Sequence, residues 1–123
     1  MHELSIAHSL VEIAEEAAAK AGVARVTVVH LRLGVLAGVV QDALLFGFDV
    51  ASAGTRLEGA RLEIEEVPLQ VYCETCDTVV ALPDVRYFRC PQCGAACRRI
   101  VTGQEIELAA LEYEDDTPEA TAL

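Results

Sequence analysis

Cys73-Glu-Thr-Cys76, a spacer of thirteen residues, then Cys90-Pro-Gln-Cys93-Gly-Ala-Ala-Cys97 is the stretch on which the fold turns. The two thiols of a C-x-x-C turn lie close enough to grip one metal ion, and two such turns make a tetrahedral thiolate cage that suits zinc. Pro91 pre-sets a backbone angle in the second turn, and Gly94 suits a left-handed exit from it. The spacer is shorter than the usual zinc-ribbon range, which predicts a tight hairpin between the pairs. Val79, Val80, Leu82, Val85, Tyr87 and Phe88 are the apolar residues available to cover it.

Disulfides and a redox pair are the competing uses of paired cysteines. No basic region leads into an apolar run at the N-terminus, so the expected setting is the cytoplasm, where paired cysteines bind metal or do redox work. A thioredoxin-like pair opens a helix after a buried strand, whereas Pro91 and Gly94 read as a turn. The reading is therefore a structural zinc site at Cys73, Cys76, Cys90 and Cys93, with Cys97 left over as a reduced thiol nearby. Four sulfurs close the coordination shell, so this site offers no open position for catalysis.

Outward from the cysteines, the chain has 123 residues, 53% of them hydrophobic, enough for one compact unit and a small satellite. No apolar run approaches membrane-spanning length. The formal charge of -11 counts against sequence-independent binding to nucleic acid. Arg86, Arg89, Arg98 and Arg99 form a local exception, read as a solvated surface.

Residues 5–21 read as a helix with Ile6, Leu10, Ile13, Ala17 and Ala21 on one face, Ser5 as N-cap and Gly22 as the stop. Glu16 and Lys20 make an i,i+4 pair. Residues 25–33 read as a central strand: Thr27, Val29, Leu31 and Leu33 line one face, Val26 and Val28 the other. A loop from Gly34 to Gly38 leads to a second helix over 41–53, with Leu44, Leu45, Phe48 and Ala51 inward and Asp42 near its positive end. Residues 60–67 alternate as a strand, with Ala60, Leu62 and Ile64 inward. A last strand, carrying Ile106, Leu108 and Ala110, is expected to return to the first sheet. The expected fold is α+β: a small mixed sheet with two helices, plus an inserted zinc-ribbon-like module. Residues 1–70 with 101–113 would form the α/β domain, 71–100 the zinc module and 114–123 a frayed, acidic tail.

Met1, His2 and Glu3 precede the first helix. A free amine on Met1, a backbone amide and the His2 imidazole can together chelate a square-planar nickel(II) or copper(II) ion, and Glu3 can add its carboxylate or amide. On these residues alone, a metal-binding N-terminus and an ordinary chain end both stand open.

Taken together, the M-H-E-L-S start, the amphipathic helix, V-x-L-R-L-G (29–34), F-G-F-D-V (46–50), G-T-R-L-E-G-A-R-L-E-I-E (54–65) and the C-x-x-C and C-P-Q-C-G pairs resemble the HypA/HybF family over residues 1–113. These are nickel metallochaperones for [NiFe]-hydrogenase maturation. The resemblance implies nickel at Met1, His2 and Glu3, and structural zinc at Cys73, Cys76, Cys90 and Cys93. It implies a HypB-type GTPase and the hydrogenase large subunit as partners, with urease maturation served in some relatives. An acidic residue opening the second helix is associated with the nickel region in some members; Asp42 lies there, and a helix-dipole role serves it equally well. Cys97 falls outside the family's four-cysteine pattern.

The leading reading is thus a carrier and not an enzyme, with nickel as cargo and zinc as a structural cofactor. The rival is a zinc-ribbon adaptor that binds protein or nucleic acid through the Arg86–Arg99 surface. A zinc hydrolase would need an open metal position and a base, and His2, His8 and His30 lie far along the chain from the cysteines. His8 reads as a solvated helix residue and His30 as a hydrogen-bonded sheet residue.

Overall fold

The computed structural model describes residues 3–114. In chain order the elements are α1 (Glu3–Lys20), β1 (Val26–Gly34), α2 (Gln41–Ser52), β2 (Arg61–Val67), β3 (Gln70–Cys73), β4 (Thr78–Ala81), β5 (Arg99–Thr102) and β6 (Ile106–Tyr113). They form two three-stranded sheets, ordered β2-β1-β6 and β4-β3-β5. The first is mixed. The Val35 N–H, one residue past β1, donates to O of Val67, the last residue of β2, so these two run parallel, joined through α2. The Gly34 N–H donates to Glu105 O and the Glu114 N–H to Arg25 O, so β6 runs antiparallel along the other side of β1. The return of the last strand and the central place of β1 are as the sequence predicts.

One compact unit comprises residues 3–31, 39–63 and 108–114. Its buried residues include Ile6, Leu10, Val26, Val29, Leu31, Leu44, Phe48 and Leu57. Each large apolar side chain removed from water in this way contributes about 1.5–3 kcal/mol. Helix α1 ends as its sequence directs. The Val23 N–H bonds to Ala18 O and the Gly22 N–H to Ala19 O, with Gly22 at φ 74, the paired bonds of a Schellman stop. Lys20 Nζ lies 3.4 Å from Glu16 Oε2, the expected surface pair.

The buried face of α1 differs from the expected one. Ile6 and Leu10 are buried, but the stripe continues through Ala7, Val11, Ala14 and Ala18, while Ile13 is 54% exposed and Ala17 and Ala21 face solvent. Alanines lie all round this helix, so apolar spacing alone does not single out a face. The packing partner does: a Cβ built on Gly47 of α2 would stand 3.4 Å from Ala7 Cβ and 3.4 Å from Leu4 Cα. The helices thus approach at small residues. Ser5 lies inside α1 and is not its N-cap, because the helix extends back to Glu3. In α2, Leu44 and Phe48 are buried as expected, Leu45 is exposed, and Gly47 and Ser52 are buried in addition. Thr27, expected inward on β1, is exposed and its hydroxyl donates to Glu112 O at 3.2 Å. On β6 the half-buried residues are Leu108 and Leu111, three apart, so the expected two-residue alternation does not hold along the strand.

The other unit comprises residues 32–38 and 64–107. Its core is Leu69, Val71, Cys73, Val80, Leu82, Cys90 and Cys97, with Val35, Leu36, Phe88 and Ile100 packed against it. Of the six apolar residues proposed as cover for the cysteines, Val80 and Leu82 are buried and Phe88 is half-buried. Val79 is exposed because the short strand β4 hides only every second side chain, and Val85 and Tyr87, beyond β4, are exposed as well. The loop after β1 is held by the Leu36 N–H donating to Gly103 O at 2.7 Å. Gly34 and Gly103 touch backbone to backbone: a Cβ on Gly34 would lie 2.1 Å from Gly103 O.

Candidate metal centre

The first cysteine pair sits at the turn of a hairpin. Strand β3 pairs with β4 antiparallel, Tyr72 opposite Val79 and Cys73 opposite Thr78. Asp77 closes the turn in the left-handed region at φ 53, and the Tyr72 hydroxyl donates to its carboxylate. The second pair sits in another turn, closed by an antiparallel bridge between Arg89 and Ala96 and by the Cys90 N–H donating to Ala95 O at 2.8 Å. Gly94, at φ 77, leaves this turn in the left-handed conformation anticipated for it. The spacer between the pairs therefore contains β4, whose partner β3 ends on the first cysteine; it does not form the expected hairpin of its own.

These two turns bring the sulfurs of Cys73, Cys76, Cys90 and Cys93 within 4.8 Å of one another. Cys73 Sγ and Cys93 Sγ are 3.5 Å apart, and Cys76 Sγ and Cys90 Sγ are 3.9 Å apart. Four sulfurs at about 2.3 Å from a central ion stand about 3.8 Å from each other, so the cluster has the dimensions of a tetrahedral thiolate site. The Cys76 N–H points at Cys73 Sγ and the Gln92 N–H at Cys90 Sγ, each at 3.4 Å. Such donors favour the thiolate, the form that binds metal. The Cys76 N–H is the largest influence on the Cys73 thiol, which is lowered to about 7. The Cys76 thiol, engaged with Cys93 and the other cysteines, is pushed up to about 12. A quartet sharing its negative charge in this way is what a divalent cation would complete. Cys97 is buried beside the site with its Sγ 3.5 Å from Ala95 O, and burial raises its pKa.

Met1 and His2 lie outside the described residues, as do 115–123 of the expected tail. Glu3 opens α1, and its carboxylate accepts a hydrogen bond from the Val40 N–H at 3.0 Å. Val40 is the N-cap of α2 and carries no side-chain cap of its own. Asp42 stands in the first turn of that helix and is exposed. The start of α1 is thus fastened to the start of α2, two residues before Asp42. His30, placed by its sequence as a hydrogen-bonded sheet residue, has its Nε2 2.6 Å from Glu112 Oε2. His8 is exposed on α1.

Residues 1–113 match the family model described as "Hydrogenase/urease nickel incorporation, metallochaperone, hypA". The chain belongs to the HypA family. The hydrogenase maturation factor HypA of Roseiflexus sp. (strain RS-1) is 98% identical over 122 residues, covering 99% of both chains. The HypA of Chloroflexus aggregans is 58% identical over 112 residues, covering 91% of this chain and 98% of its own. The solution structure of the Ni metallochaperone HypA from Helicobacter pylori superposes with a TM-score of 0.64 at 22% identity, covering 92% of this chain and 97% of that one. A second HypA solution structure gives 0.70 at 24% identity, covering 93% and 97%. At that identity the two structures speak for the fold, which is α+β with two helices as the sequence predicts. Among the described residues, no helix is long and apolar enough to cross a membrane.

The HypA pattern makes the cysteine pairs and the N-terminal residues visible in the sequence. It does not reveal the tie between Glu3 and Val40, which joins residues 37 positions apart. Nor does it mark the N–H groups of Cys76 and Gln92 as sulfur partners, although C-x-x-C spacing is the signal that supplies them.

Proposed function

We propose that this HypA-family chain carries nickel(II) at its N-terminus for insertion into a nickel enzyme, and that it is not an enzyme. Met1 would contribute its amine, His2 its imidazole, and Glu3 its amide or carboxylate, with Asp42 in the first turn of α2 as a further candidate. The observation that supports this reading is the Glu3–Val40 hydrogen bond, which ties Glu3, the sequence neighbour of His2, to the start of α2 and would lower the ordering cost of a chelate that includes Glu3. A site made largely of backbone nitrogen and one imidazole suits handover, because a recipient can displace the ligands one at a time.

Zinc is the proposed occupant of Cys73, Cys76, Cys90 and Cys93; when bound, it would supply structural cross-linking and no reaction chemistry. The four sulfur separations fit it. The expected partners are a HypB-type GTPase and the large subunit of a [NiFe]-hydrogenase, with urease maturation proteins as a further recipient class. The expected compartment is the cytoplasm.

Nickel titration by calorimetry with absorption spectra tests this on zinc-loaded protein with a native, untagged N-terminus. One nickel per chain with a square-planar band is expected. His2→Ala and a form with one added N-terminal glycine should both lose it. Equal binding by all three would place nickel elsewhere and would return the zinc-ribbon adaptor as the better account.

A further inference from the structure

Nine residues of the chain are lysine or arginine, against twenty aspartates and glutamates. Lys20, Arg25, Arg32, Arg56, Arg61 and Arg86 each have a carboxylate within ion-pair distance. Among the described residues, Arg89, Arg98 and Arg99 do not. Arg89 donates to Gly94 O at 3.2 Å, inside the second cysteine turn. Arg98 and Arg99 are exposed and adjacent, at the start of β5. In so acidic a chain, two neighbouring guanidiniums without a carboxylate are the exception.

They border a cleft of about 500 Å³ lined by Tyr72, Glu74, Ala96, Cys97, Arg98 and Arg99. Its walls are built. The Arg99 guanidinium stands 5.7 Å from the centre of the Tyr72 ring, and the Tyr72 hydroxyl is fixed in turn by Asp77. A guanidinium held over an aromatic face keeps its N–H edges available for in-plane hydrogen bonds, the geometry that receives a carboxylate with two parallel bonds. Cys97, buried, closes one side of the cleft.

We propose that this cleft docks an acidic segment of a partner protein, with carboxylates of that segment meeting Arg98 and Arg99. The volume is too large for a single ion and suits a few side chains. A nucleic acid fits less well. Two arginines neutralise few phosphates, and Arg99 already stands over the Tyr72 ring on which a base would stack. The inference goes beyond nickel carriage, since the cleft is formed within residues 72–99.

The test is a heteronuclear NMR titration of the full-length zinc-loaded protein with acetylated hexaglutamate amide, following backbone and arginine side-chain N–H signals. The expected result is shifts centred on Arg98, Arg99 and Tyr72. The Arg98→Glu/Arg99→Glu double variant should weaken binding about tenfold or more, and Arg98→Lys/Arg99→Lys should restore part of it, because lysine keeps the charge without the fork. Arg86→Glu, equal in charge change per site but already paired with Asp84 in the native chain, should stay within about twofold. Shifts centred elsewhere, or an Arg86→Glu loss as large as the double variant's, would overturn the proposal. So would inorganic phosphate or double-stranded RNA binding at the same residues more tightly than the peptide. Zinc content and nickel stoichiometry, measured on the same samples, are expected to be unchanged, so this result and the nickel reading stand or fall separately.

Discussion

The amide hydrogen of Cys76, directed at the Cys73 sulfur from 3.4 Å, lowers the Cys73 thiol toward neutral pH. Its pKa in the folded chain, about 7, lies below the ordinary thiol value of 9.0. The folded site therefore favours the deprotonated form. That preference is fully present above the ordinary thiol range and is lost as pH falls through the lowered value. Metal and protons compete for the same lone pairs, so zinc affinity should fall progressively as pH is taken from about 8 to about 6. Competition with a chromophoric chelator across this window checks it; affinity that stays flat would mean the sulfurs are not the ligands. At the same scale, Gly34 permits a contact that no other residue would allow. The Cβ of Gly34→Ala would meet Gly103 O at 2.1 Å, and backbone has to move to relieve it. A loss of about 1–3 kcal/mol or more is expected from urea unfolding. Gly38→Ala is the comparator: it meets nothing within 4 Å and bears left-handed strain alone, at φ 72, worth about 1–2 kcal/mol. Equal losses for the two would show that the Gly34–Gly103 contact is not tight.

At the scale of elements, the tie between α1 and α2 has a direct consequence. Val40 has φ -81, close to what proline adopts, and its N–H serves Glu3 and not the helix. Val40→Pro therefore deletes the donor with little disturbance to α2. Nickel binding should weaken roughly tenfold, the worth of one hydrogen bond to a charged group, with zinc content unchanged in a metal assay. Tighter nickel binding would mean that the bond competes with Glu3 for the metal and does not position it. Both helices, β1, β2 and β6 are legible in the sequence because each carries a sustained period or a clear stop, such as Gly22 after α1. Strands β3, β4 and β5 are not, since each has four residues and so gives at most two alternations. The face of α1 is hidden for another reason: alanine at 7, 14, 17, 18 and 21 makes several stripes equally apolar, and Gly47 on a different helix makes the choice. The four clustered cysteines are legible from spacing alone, because a tetrahedral thiolate site would require that spacing. The Arg98–Arg99–Tyr72 cleft is not, because the absence of acidic partners is a fact of three dimensions.

At the scale of the whole molecule, the unit formed by residues 32–38 and 64–107 has one cluster of seven buried residues, three of them cysteines, with Leu33 and Val67 buried besides. So small a core needs a cross-link to stay folded. Stripping the metal with a chelator should abolish amide-hydrogen protection across β3, β4 and β5. Protection in α1 and α2, which have their own buried set around Leu44 and Phe48, should persist. Hydrogen exchange read by mass spectrometry decides it, and a uniform loss across the chain would show that the two units fold as one. On the proposed reading, one chain holds two metals in chemically different places. X-ray absorption at the nickel and zinc edges of the same doubly loaded sample separates them. A nickel shell of nitrogen and oxygen alone with a square-planar signature is expected, with a zinc shell of four sulfurs at about 2.3 Å. Sulfur in the nickel shell, or nitrogen and oxygen in place of sulfur around zinc, would overturn that reading.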